Sequence, residues 1–304
     1  MYTVATGRRI VGMQVPVQTL SKSSSEPWER GASVADMGRA ARQADAAGFD
    51  YLAVCDHVAI PEAVVEHNST HWVDPIGTLG WLAAQTQRAM LLTHVYVVPF
   101  RHPRVAAKQF VTLDWLSGGR LICGVGVGHM VEEFAGLGVD YHRRGQLTND
   151  GIKAIAKLME HEWVDGLGVA PRPVQTPGPP IWVAGSSVPA VRRAALLGDG
   201  WLPQGPATPE LVELLISTRD QAGRDGDFAV GHIVGPVYVG SPTWDVGPTT
   251  ITGTPSSIAE QIRAAAPGAV NQFQLRFKAR HADEMCEQID AFADGGLQVL
   301  RDDT

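Results

Sequence analysis

The chain alternates from end to end between short apolar runs and longer stretches in which apolar residues recur every third or fourth position. A run without regular polar interruptions predicts a strand covered on both faces, whereas the three-to-four spacing predicts a helix with one buried face. Ile10 to Val17 is the first run, and the polar loop SKSSSEPWERG follows it. Ser33 is placed to cap a helix that reaches Ala47 and stops at Gly48. Phe49 to Cys55 is the second strand, and it delivers Asp56 and His57 at its C-terminal end. Pro75 opens a helix toward Arg88, Met90 to Pro99 is the third strand, and Pro103 opens a helix through Leu116. Leu121 to Val127 is the fourth strand, and positions 129–144 read as a long irregular connection. Gly145 to Trp163 is helical, Ile181 to Gly185 is the fifth strand, Ser187 starts a helix to Leu197, and GDGWLP contains the sixth strand. A helix over Pro209 to Ala222, a strand over Val230 to Gly240 and a helix opening at Thr254-Pro255 come next. Gln272 to Phe277 and Ala282 to Ala293 are the last strand and helix.

Strands and helices in strict alternation, eight of each, predict the α/β class and a (β/α)8 TIM barrel with insertion loops at the C-terminal face of the strands. An open doubly wound sheet shares that count. No self-similarity beyond the alternation is present, which argues against a solenoid. The expected organisation is a single barrel domain over residues 1–304.

Composition narrows the partners. A formal net charge of -7 with dispersed Lys and Arg argues against nucleic acid and against an anionic membrane surface. No apolar stretch approaches the roughly 18 residues of a membrane span, and MYTVATGRRIVG lacks a signal-peptide core, so the expected location is cytoplasmic. Cys55, Cys123 and Cys286 stand far apart in no metal spacing, which reads as free thiols.

The densest chemical signal is LSGGRLICGVGVG, Leu116 to Gly128: a helix stop, a tight turn and a strand whose C-terminal end carries Gly124, Gly126 and Gly128. Glycines there let backbone approach a ligand. A dinucleotide fingerprint needs a third glycine where His129 stands and a helix at once afterwards, so that reading is set aside. The 58–75 loop is too long for a plain connector and is a candidate substrate wall. His67 and His71, four apart, suggest a metal pair. Pro61 and Asn68-Ser69 argue that the segment is loop, no third ligand is evident, and no metal is expected.

Four stretches resemble one family. GFDYLAVCDHV at Gly48 to Val58, LLTHVYVVPFRHPRVAAKQFVTLDWLSGGRLICGVGVG at Leu91 to Gly128, PRPVQTPGPPIWVAGSSVPAVRRAALLGDGWLP at Pro171 to Pro203 and GTPSSIAEQIRAA at Gly253 to Ala265 are similar to the luciferase-like superfamily. Within it they look most like the actinobacterial coenzyme F420-dependent oxidoreductases, although FMN-using relatives share much of the pattern. The resemblance implies a barrel holding a deazaflavin or flavin at the C-terminal strand ends and moving a hydride to or from a small organic substrate. Its rival is an FMN-dependent monooxygenase, and non-catalytic barrels also occur in the superfamily. It places Asp56 as a hydrogen-bond partner of the ring system and His57 as acid or base, a role suited to imidazole's pKa of about 6.5. A loop histidine bonded to Asp56 is the plainer alternative.

The resemblance also implies a strand-three bulge with a non-proline cis peptide at Thr93-His94, against the back of the ring; His94 departs from the small residues expected there. Gly185, Ser186 and Ser187 are suited to the cofactor's phosphate, because backbone N–H groups and the helix N-terminus attract anions there, and the same serines also serve as an ordinary cap. Gly126 and Gly128 would give the tail room. His129 stands where sugar-phosphate dehydrogenases of the superfamily carry a glutamate, which disfavours that substrate. His129 and Arg276, with Lys278, are candidates to face the substrate, or are solvated. Between Trp163 and Pro171 the chain is shorter than close relatives, which would open the site or leave it to a partner subunit. A homodimer is the family tendency.

Overall fold

A computed structural model of the chain describes residues 8–302; the ends of the expected single domain, residues 1–7 and 303–304, lie outside the described residues. Eight parallel strands close into a barrel: β1 (Ile10–Gln14), β2 (Tyr51–Val54), β3 (Met90–Thr93), β4 (Leu121–Gly126), β5 (Ile181–Ala184), β6 (Gly200–Leu202), β7 (Ala229–Val239) and β8 (Gln272–Phe277). Each pairs with the next, and β8 pairs with β1 through Ile10–Gln272 to Met13–Leu275. The helices after them are α1 (Val34–Ala47), α2 (Pro75–Gln85), α3 (Pro103–Ser117), α4 (Arg144–Glu160), α5 (Val188–Leu197), α6 (Pro209–Gln221), α7 (Pro255–Ala265) and α8 (Ala282–Ala293). The closed barrel is therefore the outcome, and the open sheet is excluded.

The punctuation of the sequence sets these boundaries. Ser33 and Asp36 form a reciprocal cap at the start of α1, and Gly48 ends the helix with φ 92°. Asp74 accepts from the Gly77 amide at 2.9 Å to start α2, and Gly118 closes α3 with φ 70°. Strand interiors are buried on both faces. Val11, Leu52, Leu91 and Leu121 point toward the helices, while Ile10, Tyr51, Met90, Ile122 and Trp182 fill the lumen. Gly12 is required there, since a Cβ would lie 2.4 Å from the Tyr51 ring.

Departures from expectation fall at the C-terminal ends. The third strand breaks after Thr93 at a cis peptide between His94 and Val95, and Tyr96–Val97 then pairs with β4. The 129–144 connection holds a short helix, Val131–Gly136, and a 3-10 turn, Tyr141–Arg143. The stretch after the fourth barrel helix holds an antiparallel ribbon, Trp163–Val164 with Leu167–Gly168. A further strand, Ile251–Gly253, extends the sheet beside β7. Among the described residues no helix is long and apolar enough to cross a membrane.

Candidate active site

His57 follows β2 at the C-terminal end of the barrel, with its side chain 13% exposed. Its Nδ1 lies 3.1 Å from Glu133 Oε2. Trp72 packs edge-on against the ring with centroids 4.5 Å apart, and His129 does so at 5.5 Å. The buried Glu133 also accepts from the Val58 and Ala59 amides at 2.6 and 3.2 Å. Burial pushes the Glu133 carboxyl up, but the hydrogen bond and charge of His57 and these two amides outweigh it and hold the group below the usual carboxylate range. Burial first, then the charge of His57, pulls the His129 imidazole below its ordinary value.

Trp72 is held from the β1 side. The loop after β1 runs along the 67–73 segment, with Leu20 donating to the His71 carbonyl, Val73 to that of Gln18, and a bridge from Thr19 to Trp72. His71 turns its Nε2 to the Val17 carbonyl at 3.3 Å, so it is not paired with His67 for a metal. Among the described residues no three His, Cys, Asp or Glu side chains come together as a metal-binding group. Burial, and next the charge of Asp56, pushes the Cys55 thiol up to about 12, which leaves it unreactive near neutral pH.

Asp56 is buried and already engaged. It accepts from the Val97 amide at 2.9 Å and forms a two-point ion pair with Arg101, whose guanidinium lies 4.4 Å from the Tyr96 ring centroid. Its carboxylate therefore fixes the chain beyond the strand-three break. Thr93 is fully buried in the wall and donates to the Gly124 carbonyl at 2.7 Å. His94 reaches across the lumen, where Gln274 Nε2 donates to its Nδ1 at 3.1 Å, and burial pulls its pKa down to about 4. It is neutral at physiological pH.

Gly126 and Gly128 serve packing. A Cβ on Gly126 would lie 2.5 Å from Val95, and one on Gly128 would meet Phe134 at 2.8 Å and Val97 at 2.9 Å. They bring β4 against the strand-three break and the Val131–Gly136 helix.

At the start of α5, Gly185 has φ 120°, and the Ser186 hydroxyl accepts from the Gln204 amide at 2.8 Å. The Ser187 carbonyl receives the Ala190 and Val191 amides, while its side chain makes no capping hydrogen bond. The amides of Ser186, Ser187 and Val188 find no acceptor among the described residues. Successive unpaired N–H groups at a helix N-terminus have the donor chemistry an anion needs, so a phosphate-bearing cofactor fits here.

Arg276 and Lys278 are committed to the loop after β1. Arg276 donates to the Ser23 carbonyl at 2.7 Å, and Lys278 pairs with Glu26 at 2.9 Å. In the same loop Glu29 accepts from the Val17 and Glu26 amides at 2.5 and 2.7 Å. Burial outweighs those bonds and lifts its pKa to about 7. Glu133, Arg101 and Trp72 were not legible as site residues. A consecutive acidic pair, Glu132-Glu133, directly after a glycine-rich strand end is the signal that points to the first.

Comparison with known proteins gives this arrangement its context. Residues 13–243 match the luciferase-like monooxygenase family. The chain is 30% identical over 233 residues to an F420-dependent glucose-6-phosphate dehydrogenase from Microbacterium testaceum, covering 71% of this chain and 66% of that protein. Its fold is similar to that of an F420-dependent secondary alcohol dehydrogenase solved with an F420-acetone adduct, with a TM-score of 0.72 at 16% identity, covering 97% of this chain and 100% of the other. It is similar as well to a monooxygenase from Streptomyces bottropensis, with a TM-score of 0.74 at 19% identity over 95% and 99% of the two chains. The closed barrel agrees with these matches, and the chain belongs to the luciferase-like monooxygenase family as an oxidoreductase.

Proposed function

We propose that the chain is a coenzyme F420-dependent oxidoreductase that transfers a hydride between the deazaflavin and a small organic substrate. The observation that carries the reading is the presence, on one end of the barrel, of a half-buried acid–base histidine, His57, and three amides without acceptors at 186–188. The dehydrogenase relative supports F420 over FMN. Bound F420 supplies the two-electron chemistry.

The chain's own residues do the rest. The amides of Ser186, Ser187 and Val188, presented by the turn at Gly185, hold the cofactor's phosphate, and His57 exchanges one proton with the substrate. Trp72 and the loop after β1 shield that imidazole from water. Asp56 acts through Arg101 and the Val97 amide, keeping the wall formed by Thr93, His94 and Val95 in place. His129 lies beside His57 on the side open to a substrate. The engagement of Arg276 and Lys278 by Ser23 and Glu26 favours an uncharged substrate over a sugar phosphate.

The test is an anaerobic screen of hydroxyl- and carbonyl-bearing small molecules with F420, following the absorbance of its oxidised form. Substrate-dependent loss or gain of that absorbance supports the reading. Oxygen uptake with reduced FMN, without any F420 turnover, overturns it in favour of a flavin monooxygenase.

A further inference from the structure

We infer that Glu133 is a positioning residue for His57: its carboxylate holds the imidazole with Nδ1 as the N–H donor and leaves Nε2 as the basic nitrogen at the barrel mouth. This rests on the acid–base role proposed for His57.

An ionised carboxylate only accepts hydrogen bonds, so the 3.1 Å contact between Oε2 and Nδ1 requires the hydrogen on the imidazole. The other oxygen takes the Val58 and Ala59 amides, the two residues that follow the histidine. One side chain thus fixes both the ring and the backbone leaving it. Glu133 is 3% exposed, which keeps water from competing for these bonds. It is held below the usual carboxylate range, so the charged form persists through the physiological range. Trp72 and His129 flank the ring, which restricts its rotation. Nε2 has no hydrogen-bond partner among the described residues. It is the nitrogen free to take a proton from a substrate or return one.

The position of Glu133 serves this role. It sits in the short helix Val131–Gly136, directly after the β4 glycines, and its neighbour Phe134 packs on Phe100 and Tyr141 with centroids 4.9 and 5.4 Å apart. That packing anchors the carboxylate from behind. Replacing Gly128 with any larger residue would push against Phe134, so the glycine turn sets where Glu133 stands.

The decisive readout is the nitrogen-15 spectrum of histidine-labelled full-length protein without cofactor, near pH 8, with His57 assigned by its loss in His57→Gln. The expected result is a protonated Nδ1 and an unprotonated Nε2 at His57. In Glu133→Gln the two tautomers mix, and kcat falls about 10- to 100-fold while KM moves less than about threefold. Glu133→Asp recovers part of both signals. A protonated Nε2 in the unsubstituted protein overturns the assignment, as does a Glu133→Gln variant with unchanged tautomer and kcat. The tautomer is read without F420, so a failure of the cofactor reading is distinguishable: Nδ1 is protonated and Glu133-dependent, yet F420 is neither bound nor turned over.

Discussion

At the N-terminal ends of the strands, buried carboxylates hold backbone and chain ends. Asp45 accepts from the amides of Gln87, Arg88 and Ala89, and Asp114 from those of Val174 and Gln175. Asp50 accepts from Val11 and pairs with Arg8 and Arg301, tying the first described residues to the C-terminal helix Gly296–Arg301. At the C-terminal ends Asp56 and Glu133 also accept amides, but Asp56 holds Arg101 with both oxygens and Glu133 holds the His57 imidazole with one. A cavity of about 440 Å³ lies at the opposite end, lined in part by Ile10, Met90, Ile122, Trp182 and Phe228. The lower end is stapled around that cavity by carboxylates bound to backbone, and the upper end is arranged around one imidazole.

Substitutions can break this contrast. The largest effect expected is in His57→Ala, which lowers turnover roughly 10²- to 10⁴-fold while the melting temperature stays near that of the unsubstituted protein. Steady-state kinetics with thermal unfolding checks it, and equal turnover would remove His57 from the chemistry. Asp56→Asn should cost about 3 kcal/mol of stability, because it leaves the largely buried Arg101 guanidinium with only the exposed Asp74, at 3.4 Å, as an acidic partner. Denaturant unfolding measures it. A loss of F420 affinity with unaltered stability would instead make Asp56 a ligand contact.

Much of this arrangement is legible in the chain itself, and the limit is physical. Ser33, Gly48, Pro75, Pro103 and Gly118 act within a few residues of themselves, so strand and helix boundaries follow from local chemistry. Asp56-His57 and Gly185-Ser186-Ser187 are visible because they sit at strand ends, where barrels place ligands. The pairs that complete the site are long-range. His57 and Glu133 are 76 positions apart, and Asp56 and Arg101 are 45 apart; no periodicity encodes them. The roles of Gly126 and Gly128 were hidden for the same reason, since the side chains they accommodate come from Val95, Val97 and Phe134.

Glu29 gives a smaller, pH-dependent effect at the upper end. Its pKa is about 7 in the folded chain against an ordinary 4.5, so the folded state keeps a proton that the unfolded state has lost between those values. The stability it contributes is present below about pH 4.5 and is lost as pH rises through 7, with a slope of up to about 1.4 kcal/mol per pH unit. Glu29→Gln should flatten that slope in urea titrations between pH 5 and 7, and an unchanged slope would reject the assignment. The smallest effect is expected at the lower cavity. Ala156→Leu, on its wall, should leave F420 affinity and kcat within about twofold, and a larger change would show that the two ends communicate.

The central claim is that the upper end holds a deazaflavin cofactor, and the most direct measurement is a fluorescence titration of the purified protein with F420 and, separately, with FMN. The account predicts saturable F420 binding at least about tenfold tighter than FMN, weakened when Ser187 is replaced by Pro to remove one of the unpaired amides. Tighter binding of FMN, or binding of neither, would contradict it.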